Sequence, residues 1–312
     1  MRLSYPKRIF LTALVMLISL LMIMAALWLP QVDREIEVMD SLFVIDITDS
    51  MNVEDVSFGN ETINRLEWAK EYTRQSILSM PCGSHAGLAI FSEARSLILM
   101  TPVEVCANYH DLMQMLSQFH PTMAWARSSE VSKALYTAIR QAKEITPQPT
   151  VVFLTDGHEA PPVHETLFPK FTDTPGEVPG VIVGIGGSDL VPIPKTNEFG
   201  EIEGYWEINE VMHKDVYASS RGDAAELNNN RPRTEHLSSQ KKSHMETVSR
   251  RVGFEFISSP TSPQKLIKEM QKISDTRQQP VKYDLFVWLA SIALILLLLV
   301  FLPYSLFTKQ HE

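Results

Sequence analysis

Two apolar runs in this chain end in aspartates, and they restrict the fold more than any other feature. Ser41-Leu-Phe-Val-Ile45 leads into Asp46, and Val151-Val-Phe-Leu154 leads through Thr155 into Asp156. Short runs that are apolar at every position and rich in β-branched and aromatic residues belong to strands covered on both faces, as in a parallel sheet with helices on either side. Gly180-Val-Ile-Val183 is a third such run. Between them lie segments of helical spacing: Leu66, Ala69, Ile77 and Met80, closed by Pro81; Leu112, Met113 and Leu116; and Val131, Ala134, Leu135, Ala138, Ile139 and Ala142. Residues 87–92 and 96–102 read as a hairpin joined by Glu93-Ala-Arg95, and residues 253–258 as a strand between helices over 236–251 and 263–273. Gly184 to Gly187 is a strand-end turn and not a dinucleotide fingerprint, because Ser188-Asp-Leu-Val-Pro192 follows where a helix would have to begin.

The ends are different in kind. Ile9 to Leu29 and Leu285 to Leu302 carry no charge and no polar face, and each meets the length of about 17–25 residues that spans a bilayer. The first run follows Arg2, Lys7 and Arg8 but is too long for the apolar region of a cleaved signal, and Ala25-Ala-Leu-Trp-Leu-Pro30 has no small-residue cleavage pattern. It reads as an anchor. Its basic start and acidic exit (Asp33, Glu35, Glu37) put the amino terminus in the cytoplasm, whereas Lys268, Lys272, Arg277 and Lys282 before the second run, against Lys309 after it, point the other way. The first helix is followed here.

The expected fold class is therefore α/β, a doubly wound, mostly parallel sheet flanked by two transmembrane helices. The expected organisation is a cytoplasmic start and first transmembrane helix over 1–30, the α/β domain over 31–278 with a long polar insertion at about 188–235, and a linker, second transmembrane helix and short tail over 279–312. The domain then faces outward from a cytoplasmic membrane, into the periplasm of a Gram-negative cell. A formal charge of -9 argues against a nucleic-acid partner.

In an open parallel sheet ligands bind at the carboxyl ends of the strands where strand order reverses, so Asp46 and Asp156 should share one rim. Asp46, Thr48 and Ser50 alternate along one loop, and three oxygens so placed suit a hard cation such as Mg2+. A turn capping a helix accounts for the same residues without a metal. The loop before the helix at Val131 brings Ser128 and Ser129 to the rim; Ser128 also suits a helix cap. His158 and His164, near Pro161 and Pro162, match no zinc spacing and read as part of a solvated loop. Trp125 reads as a packed loop anchor, a contact for a partner being the alternative, and Glu130 as an acid at a helix start.

Taken together, D-x-T-x-S at 46–50, the hydroxyls before the helix at 131 and Leu154-Thr-Asp-Gly157 resemble the metal-ion-dependent adhesion site of von Willebrand factor type A domains. The family writes serine where Thr48 stands and usually threonine where Ser129 stands; both departures keep the oxygen. The resemblance covers about residues 40 to 275. Within the family the chain looks like the bacterial membrane-anchored group, as in the aerotolerance-operon proteins, and through residues 46–55, 79–91, 101–112, 151–162 and 193–206 it is more similar still to the accessory proteins of methanol and related quinoprotein alcohol dehydrogenases. The resemblance implies that Asp46, Thr48, Ser50, Ser129 and Asp156 hold Mg2+, with Mn2+ or Ca2+ as substitutes. The partners it implies are a protein offering an acidic residue, and related type A domain proteins in a complex. It implies no catalytic residue.

An enzyme remains the rival reading, since paired aspartates with Mg2+ also serve phosphoryl transfer. The haloacid-dehalogenase phosphatases use a D-x-D-x-T loop, but here the second aspartate, Asp49, comes one position late. Finally, Cys82 and Cys106 lie equally far from the hairpin turn at Ala94. Antiparallel pairing brings them opposite one another, so a disulfide is expected, two free half-buried thiols being the alternative.

Overall fold

The protein is described by a computed structural model over residues 5–28, 32–164, 167–214, 232–258, 262–283 and 285–301. The elements run α1 (Tyr5–Trp28), β1 (Val32–Val38), β2 (Asp40–Asp46), β3 (Glu54–Phe58), β4 (Glu61–Asn64), α2 (Arg65–Ser79), β5 (His85–Ser92), β6 (Arg95–Glu104) and α3 (Tyr109–Ser117). Then come α4 (Val131–Lys143), β7 (Thr150–Thr155), β8 (Gly180–Gly184), β9 (Val191–Pro192), β10 (Pro194–Thr196), β11 (Ile202–Tyr205) and β12 (Leu237–Ser238). The chain closes with α5 (Lys242–Val252), β13 (Glu255–Ser258), α6 (Pro263–Ile273), β14 (Arg277–Tyr283) and α7 (Phe286–Phe301).

The chain divides into two compact units, Met1–Ile36 with Gln278–Glu312, and Glu37–Arg277. In the first, α1 packs against α7, and large apolar side chains such as Leu20, Leu21, Leu27, Val287 and Trp288 stand exposed along them. Among the described residues no helix is long and apolar enough to cross a membrane. Arg2, Leu29, Leu302 and Lys309 lie outside the described residues.

The second unit is built on a six-stranded sheet of order β13-β8-β7-β2-β5-β6, parallel throughout except for the β5–β6 hairpin. Alternation along β2 sorts its side chains. Phe43 and Ile45 enter the core beneath α2, α3 and α6, whereas Leu42 and Val44 enter the core beneath α4 and α5. Every residue of β2 and β7 is buried, as continuous apolar runs require when both faces are covered.

β2 is the earliest strand of the sheet and has β5 on one side and β7 on the other, so strand order reverses there. Ile45 is in register with Leu154, which brings the loops after β2 and β7 to the same level. Beyond the hairpin, Cys82 and Cys106 form a disulfide with Cα atoms 5.3 Å apart.

One expectation needs correction. The helix expected from His236 begins only at Lys242, because Leu237 and Ser238 pair with Pro192 and Val191 instead. The long insertion contains β9, β10 and β11 in its described part; the Asn228–Asn230 run lies outside the described residues.

Candidate metal centre

Asp46, the last residue of β2, is completely buried. Its Oδ1 accepts from the Thr48 amide at 2.9 Å and the Thr48 hydroxyl at 2.7 Å, while its Oδ2 accepts from the Thr155 hydroxyl at 2.7 Å. A 3-10 turn over Asp49–Asn52 then sets Ser50 Oγ 3.4 Å from Thr48 Oγ1.

The second loop is fixed through its backbone. Ser129 N donates to Ala160 O at 2.8 Å and Ala160 N donates back to Ser129 O at 2.7 Å, a two-way clamp between this loop and the one after β7. Held so, Ser129 has its hydroxyl buried and, among the described residues, without a hydrogen-bond partner. A polar atom left in that state costs about 1–3 kcal/mol. Ser128 does not cap α4: Glu130 holds the N-cap position, and the Ser128 carbonyl accepts from Glu93 N. Glu130 pairs with Lys133.

On the third loop Asp156 is also completely buried, yet its carboxylate is fully engaged. Oδ2 accepts from Arg65 Nη1 at 2.5 Å and from the Ser238 hydroxyl at 2.8 Å, and Oδ1 accepts from His158 N at 2.9 Å. Arg65, the first residue of α2, is itself buried and also grips Asp55 through Nε at 2.9 Å and Nη2 at 2.6 Å. Gly186, at φ +106°, leaves the space this needs: a Cβ there would stand 2.6 Å from Arg65 Nε. Sequence reasoning missed Arg65. The available signal was its place, since a cation at a helix amino terminus opposes the helix dipole and needs a compensating anion.

These surroundings separate the two aspartates. Burial, then the charge of Asp156, push the Asp46 carboxyl up to about 7, against the bonds donated by Thr48 and Thr155. Burial works in the same sense on Asp156, but Arg65, with His158 and Ser238, holds it below the ordinary carboxylate range. Burial pushes His158 down to about 4, so its ring is neutral at pH 7.

Thr48, Ser50 and Ser129 line one cavity of about 220 Å³; Asp46 and Asp156 do not line it. A hard cation fits the first four of the expected ligands: a cluster of hydroxyls, one of them unpartnered, hydrogen-bonded to a buried carboxylate without a countercharge. Asp156 fits less well, because Arg65 already supplies its positive charge. Asp49, the residue a phosphatase would need, has its Oδ2 taken by Arg127 Nη1 and Trp206 Nε1, both at 3.2 Å.

His158 and His164 correct the expectation of a solvated loop: His158, whose amide is bonded to Asp156, is 2% exposed and His164 5%. Trp125, expected to be packed, is 44% exposed.

Residues 41–158 match the family model of the von Willebrand factor type A domain. Over that stretch the chain is similar to the type A domain family. Solved structures it resembles include an aerotolerance-related membrane protein from Bacteroides fragilis, at 17% identity over 75% of this chain and 98% of that one, with a TM-score of 0.48. A membrane-spanning protein from Vibrio fischeri matches at 16% identity over 77% of this chain and 96% of that one, TM-score 0.29. A von Willebrand factor type A protein from Catenulispora acidiphila matches at 13% over 78% and 46%, TM-score 0.37. No curated protein matches the chain.

Proposed function

We propose that this protein is a metal-dependent protein-binding module, held at a bacterial inner membrane with its type A domain facing the periplasm. Mg2+ would be held by Thr48, Ser50 and Ser129 with Asp46, and would offer an open position to a carboxylate of the partner; Asp156 would support the site from behind through its bonds to Arg65 and the His158 amide. The observation that carries the reading is the buried, unpartnered Ser129 hydroxyl, held by a backbone clamp in the cavity that Thr48 and Ser50 also line. A capping turn has no use for such an atom, whereas a cation satisfies it.

The membrane assignment is supported by the many large apolar side chains exposed along α1 and α7, and by apolar sequence runs that continue past the described residues. The role is an accessory or assembly factor for a periplasmic complex, on resemblance a quinoprotein alcohol dehydrogenase, with no chemistry of its own. The test is thermal unfolding of the detergent-solubilised chain with Mg2+ and with EDTA, followed by capture of partners from native membranes. Mg2+ should raise the melting temperature of wild type and leave Asp46→Ala unmoved, and EDTA should release what wild type captures. Equal melting with and without Mg2+ sinks the metal reading.

A further inference from the structure

The insertion between β8 and α5 does not leave the candidate centre open. Ile193, Trp206, Val211 and Met212 form the wall of the cavity facing Thr48, Ser50 and Ser129. The wall is fastened down at two points. Trp206 Nε1 donates to Asp49 Oδ2, and Arg127, which lies 5.7 Å from the Trp206 ring, donates through Nη2 to Thr196 O at 2.9 Å. The cavity therefore combines the hydroxyls of Thr48, Ser50 and Ser129 with apolar groups of the insertion and with charged side chains at Asp49, Arg127, Glu210 and Glu235.

Resting on the metal reading above, we infer that the cavity takes a protruding segment of a partner protein in which one acidic residue is flanked by a large apolar one: carboxylate to the metal, apolar side chain to Val211 and Met212. Volume supports a segment. About 220 Å³ falls below the roughly 300–1,000 Å³ of pockets that enclose whole small molecules, but suffices for side chains entering from outside. The charged lining is already matched in part, Arg127 by Asp49 and Glu210 by Lys195 at 2.6 Å, which leaves the apolar wall to distinguish one acidic segment from another. Met212, 60% exposed, presents an unbranched apolar side chain to an incoming apolar group.

The full chain in detergent is titrated in Mg2+ with the capped peptides Gly-Leu-Asp-Leu-Gly and Gly-Ser-Asp-Ser-Gly, and with N-acetyl-aspartate. The leucine peptide should bind about tenfold or more tightly than the serine peptide, the effect of burying roughly one leucine side chain. That ratio should collapse towards one in Val211→Ser/Met212→Ser. Equal binding of the two peptides, no binding of either, or N-acetyl-aspartate binding as tightly as the leucine peptide each overturns the inference and leaves the metal reading standing if Mg2+ still raises the melting temperature. If Mg2+ has no effect on that temperature, the metal reading falls and the inference with it.

Discussion

Asp46 and Asp156 leave adjacent parallel strands at the same level, both completely buried, and their electrostatic states are opposite. Asp156 faces the Arg65 guanidinium at 2.5 Å and keeps its charge. Among the described residues Asp46 receives only neutral donors, two from Thr48 and one from Thr155, and its carboxyl is pushed up to about 7. The loop motif does not decide this. What decides it is the presence on one side alone of a cation contributed by a distant helix, so one aspartate is already satisfied by the protein and the other is short of a positive charge.

The largest effect should come from removing that cation. Arg65→Ala leaves Asp156 and Asp55 without it, and breaking a buried pair by deleting one partner costs about 3–5 kcal/mol. Chemical denaturation should show most of the loss, and Arg65→Met/Asp156→Asn should recover a large part of it. A loss under about 1 kcal/mol in Arg65→Ala would erase the contrast between the aspartates. A control far from both is the disulfide. Opening its loop of about 25 residues by Cys82→Ser/Cys106→Ser should cost about 3.5 kcal/mol by chain entropy, while leaving any Mg2+-induced shift in melting intact.

The pH dependence sharpens the comparison at the next level down. Asp46 rises from 3.8 to about 7 on folding, so the folded state binds the proton more tightly and this group makes stability fall as pH climbs through that window. His158 acts in reverse: depressed from 6.5 to about 4, it makes stability fall as pH drops from 6.5 towards 4. In wild type the two oppose one another, and the melting temperature alone hides both. Asp46→Asn removes the first and should reveal stability rising from pH 4.5 to 6.5, with the metal-free variant more stable than wild type at pH 7.5. A bound cation competes with the Asp46 proton, so the shift produced by Mg2+ should be larger at pH 7.5 than at pH 5. Superimposable pH profiles for wild type and Asp46→Asn would mean that Asp46 is not the uncompensated member of the pair.

How legible this was follows from the range of each interaction. The strands ending at Asp46 and Asp156, the hairpin and helix α4 show as local periodicities, and burial on both faces of β2 and β7 follows from continuous apolar runs. The pairing of Cys82 with Cys106 follows from hairpin geometry. Arg65 is different, because it meets a carboxylate 91 positions away and no local pattern records that. The wall over the cavity was hidden for a second reason: β9 to β11 are two to four residues long and interrupted by prolines, too short for a period to register. His158 reads as solvated on composition, whereas in the fold its amide is bonded to Asp156 and its ring is buried.

The smallest predicted effect isolates the hydroxyl that joins Asp46 to the cavity. Thr48 is buried and donates to Asp46 Oδ1 while lying 3.4 Å from Ser50 Oγ, so its oxygen belongs both to the carboxylate and to the cation-seeking cluster. Thr48→Ser keeps that oxygen and removes one buried methyl, which should change stability by about 1 kcal/mol or less and leave the Mg2+ shift unchanged. Thr48→Val has nearly the same shape and no hydroxyl. It takes a hydrogen bond from a carboxylate that has no countercharge, so Asp46 should become still harder to ionise and the Mg2+ shift should disappear, with the fold intact by circular dichroism. If valine and serine behave alike towards Mg2+, the oxygen at position 48 is not a ligand, and the alternating pattern of the Asp46 loop serves the turn alone.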